Sequence, residues 1–490
     1  MNPHFNCSRN SSKSDRIYVN VRFNLLVLSL IVLMIVTSDM YAKGQVNQSD
    51  EDHTLSGKHF DEKMSSDDIA ALFISIHNSV SEYQSIPEPG PRIPIDETMF
   101  AVIDRHALQA PASVRNSIEN LADYLTAPAR NDIEKIRSIY RWITENISYD
   151  VHGFRTGNYG NLSPEGVLAS GSAVCSGYTG LFGKLASAAG IEVVEINGWA
   201  KGIGYKAGDP VDGPTNHAWN AVKIGDGWYL IDSTWGAGSS DGINFVRRFD
   251  EHYFLTPPEQ FIYDHLPENP SWQLLEIVLS KAEFVRLPFV KSIFFRNGLR
   301  IGSHFQSVIQ ANHRLSITLW APSDIALFVS LIRDKQVLDK SLTFAQREEG
   351  SLYQIDAEFP DRADYILRIF IKHVKETGPY WQAIDYKVEV DEGLPGFIGF
   401  PEISSAFQER DVYLYTPKSG YLQSDATHQF RLKVPRAQKV AVIIGNNWFY
   451  LKENGDFFEG NILIQKGEIK VCAEFFDQGH YECLLSYTVF

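Results

Sequence analysis

The chain has 490 residues, 44% hydrophobic, 21% charged and 12% aromatic, the balance of a packed protein of about three domains and not of a disordered one. Lys and Arg number 45 against 60 Asp and Glu, a formal charge of −15; that field repels phosphate backbones and excludes nucleic acid as a partner class. The cysteines, Cys7, Cys175, Cys472 and Cys483, are too few and too scattered for a disulfide scaffold or a zinc site of CxxC pairs.

Residues 1–42 read as a signal peptide or an N-terminal membrane anchor. Arg9, Lys13, Arg16 and Arg22 precede an apolar run from Leu25 to Val36 broken only by Ser29. Such a run suits a signal-peptide core and falls short of the roughly 17 to 25 residues that span a bilayer. Ala42 offers a small residue before a cleavage point; uncleaved, residues 23–38 would tether the chain to a membrane. Either way the remainder is expected outside the cytoplasm, whether secreted, periplasmic or membrane-anchored. Residues 43–68 are polar and acidic and read as a solvated tether.

A domain over 69–278 begins with the helical spacing of IAALFISIHNSV, followed by a Pro-rich extended stretch, IPEPGPRIPI. Asn131 and Glu134 have the spacing of a capping box, and Ile133, Ile136, Ile139, Tyr140 and Ile143 recur behind them at helical intervals, predicting a helix over about 131–147.

Chemistry concentrates between Ser163 and Trp235. Leu181 and Leu185 follow Cys175 at helical spacing and Gly190 supplies a stop, so the cysteine is expected at a helix N-terminus, where free N–H groups and the helix dipole favour a thiolate. Gly177, Gly180 and Gly183 each cost that helix roughly 0.5–1 kcal/mol relative to Ala; close packing against another element is the expected compensation. Downstream, 216–224 and 228–235 alternate as β-strands around a two-residue turn at Gly225-Asp226. In that register Trp219 lies opposite Asp232, and His217 becomes a diagonal neighbour of Asp232 on the same face. Cys175, His217 and Asp232 then supply nucleophile, base and orienting acid for acyl transfer, with the Cys175 backbone N–H as one oxyanion donor. Tryptophans on half-buried strands are core more often than cleft; among them Trp219 and Trp235 are the better candidates for walls of a substrate groove. His252, His265 and His313 stand isolated and are expected to be structural or surface histidines.

The Cys175 helix, the hairpin NHAWNAVKIGDGWYLIDSTWGAG and the upstream IRSIYRWITENISYD resemble the transglutaminase-like superfamily of papain-fold cysteine enzymes. The later HYFLTPPEQFIYDHLPENPSWQLL resembles its kyphoscoliosis peptidase branch, so that the likeness runs from about Asp104 to Leu275. The resemblance implies an α+β papain-like catalytic domain with Cys175, His217 and Asp232 as its triad. It implies no cofactor and no metal, and no segment has the alternating oxygen ligands of a calcium loop.

Beyond Lys281 the texture is β: Leu315, Ile317 and Leu319, then Phe430, Leu432 and Val434, alternate with polar residues. AIDYKVEV at 383–390 and LLSYTVF at 484–490 close two similar stretches. Two all-β, immunoglobulin-like sandwiches are therefore predicted, over 279–390 and 402–490, joined by a Gly/Pro-rich linker at 391–401. Cys472 and Cys483 lie symmetrically about Asp477-Gln478; a hairpin turning there would set them opposite each other, either as a disulfide or as two reduced core cysteines.

The leading expectation is an exported cysteine peptidase or amidase acting on protein or peptide substrates, with the sandwiches positioning substrate or a protein partner. One alternative is protein cross-linking by the same triad; another is a non-catalytic scaffold with a vestigial catalytic domain.

Overall fold

The computed structural model describes residues 87–95, 98–348, 350–396, 398–476 and 479–490. The expected signal segment, the tether, the helical stretch at 69–80 and the Asp477-Gln478 turn lie outside these residues. Among the described residues no helix is long and apolar enough to cross a membrane.

The first part is α+β. Helices α1 (Ala101–Leu108), α2 (Ile118–Thr126), α3 (Asp132–Asn146) and α4 (Cys175–Ala188) share one apolar core. They accompany a five-stranded antiparallel sheet of β1 (Val193–Ala200), β2 (His217–Ile224), β3 (Gly227–Ile231), β4 (Phe254–Thr256) and β5 (His265–Pro267), ordered β4-β3-β2-β1-β5.

Helix α3 buries Ile136, Ile139, Tyr140 and Ile143, the residues of its apolar stripe. Its Asn131 side chain accepts the Glu134 N–H at 3.0 Å, but the expected reciprocal bond is replaced. The Glu134 carboxylate turns instead to the Arg130 backbone N–H at 2.8 Å and to the Arg130 guanidinium, a charged donor that outcompetes the neutral N-cap N–H.

In α4 the three glycines differ. A Cβ on Gly177 would lie 2.6 Å from the Ala173 Cβ and 3.0 Å from Val167, so tight packing does require that glycine. At Gly180 and Gly183 the nearest atom it would meet is the Glu195 carboxylate, at 3.9 and 3.4 Å; packing does not demand those two.

The remaining chain forms two sandwiches. In the first, β6 (Phe289–Val290), β7 (Arg300–Ile301), β8 (Val308–Ala311), β9 (Arg314–Trp320), β10 (Ile325–Arg333), β11 (Gln336–Val337), β12 (Thr343–Arg347), β13 (Leu352–Glu358), β14 (Asp364–His373) and β15 (Trp381–Val390) make two sheets. Their orders are β6-β15-β14-β10-β11, with β8 parallel to β15, and β7-β9-β13-β12. Along β9, Leu315, Ile317 and Leu319 point inward, as the alternation requires.

The second sandwich repeats this plan strand for strand. Its strands are β16 (Glu402–Ile403), β17 (Tyr413–Thr416), β18 (Tyr421–Leu422), β19 (Thr427–Lys433), β20 (Lys439–Ile444), β21 (Asn447–Tyr450), β22 (Lys452–Asn454), β23 (Phe457–Leu463), β24 (Ile469–Glu474) and β25 (Tyr481–Val489). The orders are β16-β25-β24-β20-β21, with β18 parallel to β25, and β17-β19-β23-β22. Cys472 pairs with Cys483 across β24 and β25, and the two are joined by a disulfide.

Candidate active site

Cys175 is the first residue of α4 and is half-buried. His217 opens β2, opposite Gly198 of β1. The β2–β3 pairing runs from Ile224↔Gly227 to Asn220↔Ile231, the register of a turn at Gly225-Asp226. Asp232 follows at the end of β3, where the extended β-strand expected through 235 stops. Its Oδ1 accepts the N–H groups of Thr234 and Trp235 at 2.7 and 3.0 Å, capping a short helix, α5 (Ser233–Ala237), which turns the chain off the sheet. The same carboxylate's Oδ2 accepts from His217 Nε2 at 2.7 Å. That leaves Nδ1 of His217 for the neighbouring Cys175 thiol, with which the imidazole interacts.

Electrostatics follow from this burial. Burial pushes the Cys175 thiol up, but the His217 hydrogen bond and charge, with the Ala218 backbone N–H, outweigh it and lower the thiol below its usual value. Burial pulls His217 down, whereas Asp232 and then Cys175 push it up to about 10. Against its own burial, Asp232 is held far below the usual carboxylate range by His217 and His265. The arrangement favours a thiolate beside an imidazolium anchored on an ionised carboxylate.

His265 belongs to this cluster and is not the isolated structural histidine expected. Its Nε2 lies 3.1 Å from the same Asp232 Oδ2, and its Nδ1 lies 2.6 Å from Asp264 Oδ1. Tyr253 donates its hydroxyl to Asp264 Oδ2 at 2.9 Å. Strand β5 pairs with β1, Ala200 facing His265, and this contact, remote in sequence, brings the second imidazole in. The only local signal is the Asp264-His265 dipeptide, since a three-residue strand has no readable periodicity. His252 is also buried but stacks on Phe295, while His313 is not among the residues around the site.

His217, Asp232 and His265 also bring their ligand atoms close enough together to hold a metal ion. A tetrahedral zinc with bonds near 2.0–2.1 Å would space those atoms roughly 3.3 Å apart; the 2.7 Å between His217 and Asp232 is a direct hydrogen bond instead.

The groove walls divide. Trp235 lines a cavity of about 880 Å³ that also reaches His217 and Tyr149. Trp219, expected beside it, is 1% exposed and lines none of that cavity. Its ring packs edge-on against Phe261 and His265 and over Gly198, where a Cβ would lie 2.4 Å from it. The far wall comes from the first sandwich, through Phe289, Lys291, Arg368, Trp381 and Gln382. Lys201 and Lys291 also border the cavity, and burial lowers them to about 7 and about 8.

Residues 119–233 match the transglutaminase-like superfamily core, residues 281–401 a KY-like, immunoglobulin-like domain, and residues 442–457 a putative cell wall binding repeat. Kyphoscoliosis peptidase of Mus musculus is 31% identical over 326 residues, 65% of this chain and 48% of that protein. Hillarin of Drosophila melanogaster is 34% identical over 219 residues, 42% of this chain and 26% of that protein. The chain thus matches about half the length of the first of these relatives and about a quarter of the second. A solved structure described as a TGase covers 37% of this chain and 41% of its own at 14% identity, with a TM-score of 0.19.

Proposed function

For a chain that carries a transglutaminase-like core domain related to kyphoscoliosis peptidase, followed by a KY-like immunoglobulin-like domain, we propose a cysteine peptidase that hydrolyses amide bonds of polypeptides. The observation that carries this is Cys175 at the start of α4 beside His217, whose imidazole is hydrogen-bonded to a buried, four-times hydrogen-bonded Asp232.

The Cys175 thiolate attacks the amide carbonyl, and the oxyanion that forms is met by the Cys175 backbone N–H at the first turn of α4. His217 then gives its Nδ1 proton to the leaving amine, and the C–N bond breaks to leave a thioester. Water, deprotonated by the now neutral imidazole, attacks the thioester and releases the carboxylic acid and the thiol. Throughout, Asp232 keeps His217 in the orientation and charge state that both transfers need.

The pH dependence has a definite sign. His217 has a raised pKa, so its contribution to stability is complete below about 6.5 and is lost as pH rises through about 10. Asp232 has a lowered one; its contribution is present above about 3.9 and is lost as pH falls through the folded value. The ion pair therefore persists across the neutral range.

The test mixes the full chain with an unstructured polypeptide and a labelled primary amine. New N-termini without amine incorporation are expected, abolished by Cys175→Ala and slowed on the order of 10²–10⁴-fold by His217→Ala. Incorporation without cleavage would replace hydrolysis by cross-linking. Neither reaction, together with Cys175 alkylating like a free thiol near about 8.5, would leave a binding module.

We also propose that the enzyme works outside the cytoplasm. The Cys472–Cys483 bridge and the match at 442–457 to a cell wall binding repeat support this, because disulfides persist in oxidising compartments. Fractionation of cells producing a C-terminally tagged chain checks it; a wholly cytosolic, reduced protein would refute it.

A further inference from the structure

Both ring nitrogens of His265 face carboxylate oxygens, Nε2 toward Asp232 at 3.1 Å and Nδ1 toward Asp264 at 2.6 Å. A neutral imidazole has one N–H and one lone pair, so in this place it would aim a lone pair at a carboxylate. Only the doubly protonated ring donates to both. Burial opposes that cation, His265 being 0% exposed, but the two carboxylates outweigh it, and the ring also lies among aromatic faces, stacked on Phe261 at 4.1 Å and meeting Trp235 at 4.5 Å and Trp219 at 5.1 Å. Two buried carboxylates without compensating charge would be costly.

We propose that His265 is a second, permanent imidazolium that competes with His217 for Asp232 and so sets the upper pH limit of the Cys175–His217 ion pair. It is a positioning residue, acting on the chemistry only through Asp232. The two rings lie 5.3 Å apart, centroid to centroid, and share one acceptor atom, so the charge of one opposes the charge of the other. The groups facing His265 are Asp264 beside it, Asp232 before α5, His217 on β2, and His252 and Tyr253 ahead of β4. Lys201 and Lys291 act on Asp264 from the cavity side. The remaining walls are the Trp219, Trp235 and Phe261 rings.

The inference rests on the proposed triad, so its test uses alkylation, which needs no substrate. Iodoacetamide modification of Cys175 in the full chain is followed against pH by mass spectrometry. The alkaline step of that profile marks loss of the His217 proton. In His265→Gln, which keeps a donor toward Asp232 but removes the charge, the step should rise by roughly one pH unit. Asp264→Asn, which removes the counter-charge holding the second proton, should move it the same way, and the double variant should add nothing further.

A purely structural His265 predicts the reverse: Asp232 loosens, the alkaline step falls, and the acid midpoint climbs toward about 8.5. That result, or no movement in either variant, would overturn the inference while a low wild-type midpoint kept the triad. A wild-type Cys175 that alkylates like a free thiol would remove both. Should His265→Gln fail to fold, ¹⁵N-histidine NMR of the wild-type chain decides. Both His265 nitrogens are expected to be protonated at neutral pH, and one unprotonated nitrogen refutes the proposal.

Discussion

The two sandwiches share a topology strand for strand and even a defect. The β14–β15 register slips after Ile369, so that Phe370 faces Gln382; the β24–β25 register slips after Val471, so that Cys472 faces Cys483. A bulge bends a strand and re-aims the residues beyond it, and here one backbone device serves two ends. In the first sandwich the first rung beyond the bulge delivers Gln382, with Trp381 on the next, to the wall of the cavity beside His217. In the second the same rung is closed by a covalent bond. Backbone plan sets where a rung points; the side chains on it decide whether it binds or braces.

That division can be broken by substitution at matched positions. Leu367 on β14 and Ile469 on β24 are counterparts, both 0% exposed and facing Tyr386 and Tyr487 respectively. Truncating either to Ala should cost about 2–5 kcal/mol in urea unfolding, but only Leu367→Ala should raise KM for a polypeptide substrate. An equal rise with Ile469→Ala would end the comparison. Replacing both Cys472 and Cys483 by Ala should cost roughly 3 kcal/mol by loop-closure entropy and leave the pH profile of Cys175 alkylation where it was. Smallest is the cavity wall itself. Trp381→Ala should raise KM about tenfold, equivalent to about 1.4 kcal/mol, with kcat unchanged, while Glu482→Ala at the counterpart position should leave both constants alone.

Local signals carried the sequence reading where the structure is local. The stripe behind Asn131 marks α3 to within a residue at each end, and the Gly225-Asp226 turn fixes the hairpin register by chain geometry alone. Side chains that make their own choices leave no such local signal. Asp232 ends its strand because its carboxylate caps α5, an event alternation cannot show. Glu134 deserts the capping box for Arg130, whose charge no spacing rule weighs. Trp219 shares a face with His217, yet Gly198 on the neighbouring strand opens a slot that takes its ring away from the cavity. His265 depends on a β1–β5 pairing across a long sequence gap, which periodicity does not encode.

One consequence of Asp232 concerns isosteres. Its two oxygens serve separate clients, Oδ1 two backbone N–H groups and Oδ2 two imidazoles, and every client is a donor. An asparagine has the same shape but only one oxygen, so whichever way the amide turns, an NH₂ must confront donors. Turned toward the helix, it unseats α5. Turned toward the rings, it is tolerated only if His217 and His265 both surrender the proton on Nε2, and His217 then carries one on Nδ1 instead, the nitrogen that must accept from the thiol. Shape mimicry at this position therefore has no neutral outcome: either the chain loses its turn off the sheet or the imidazole adopts the tautomer that cannot act as a base.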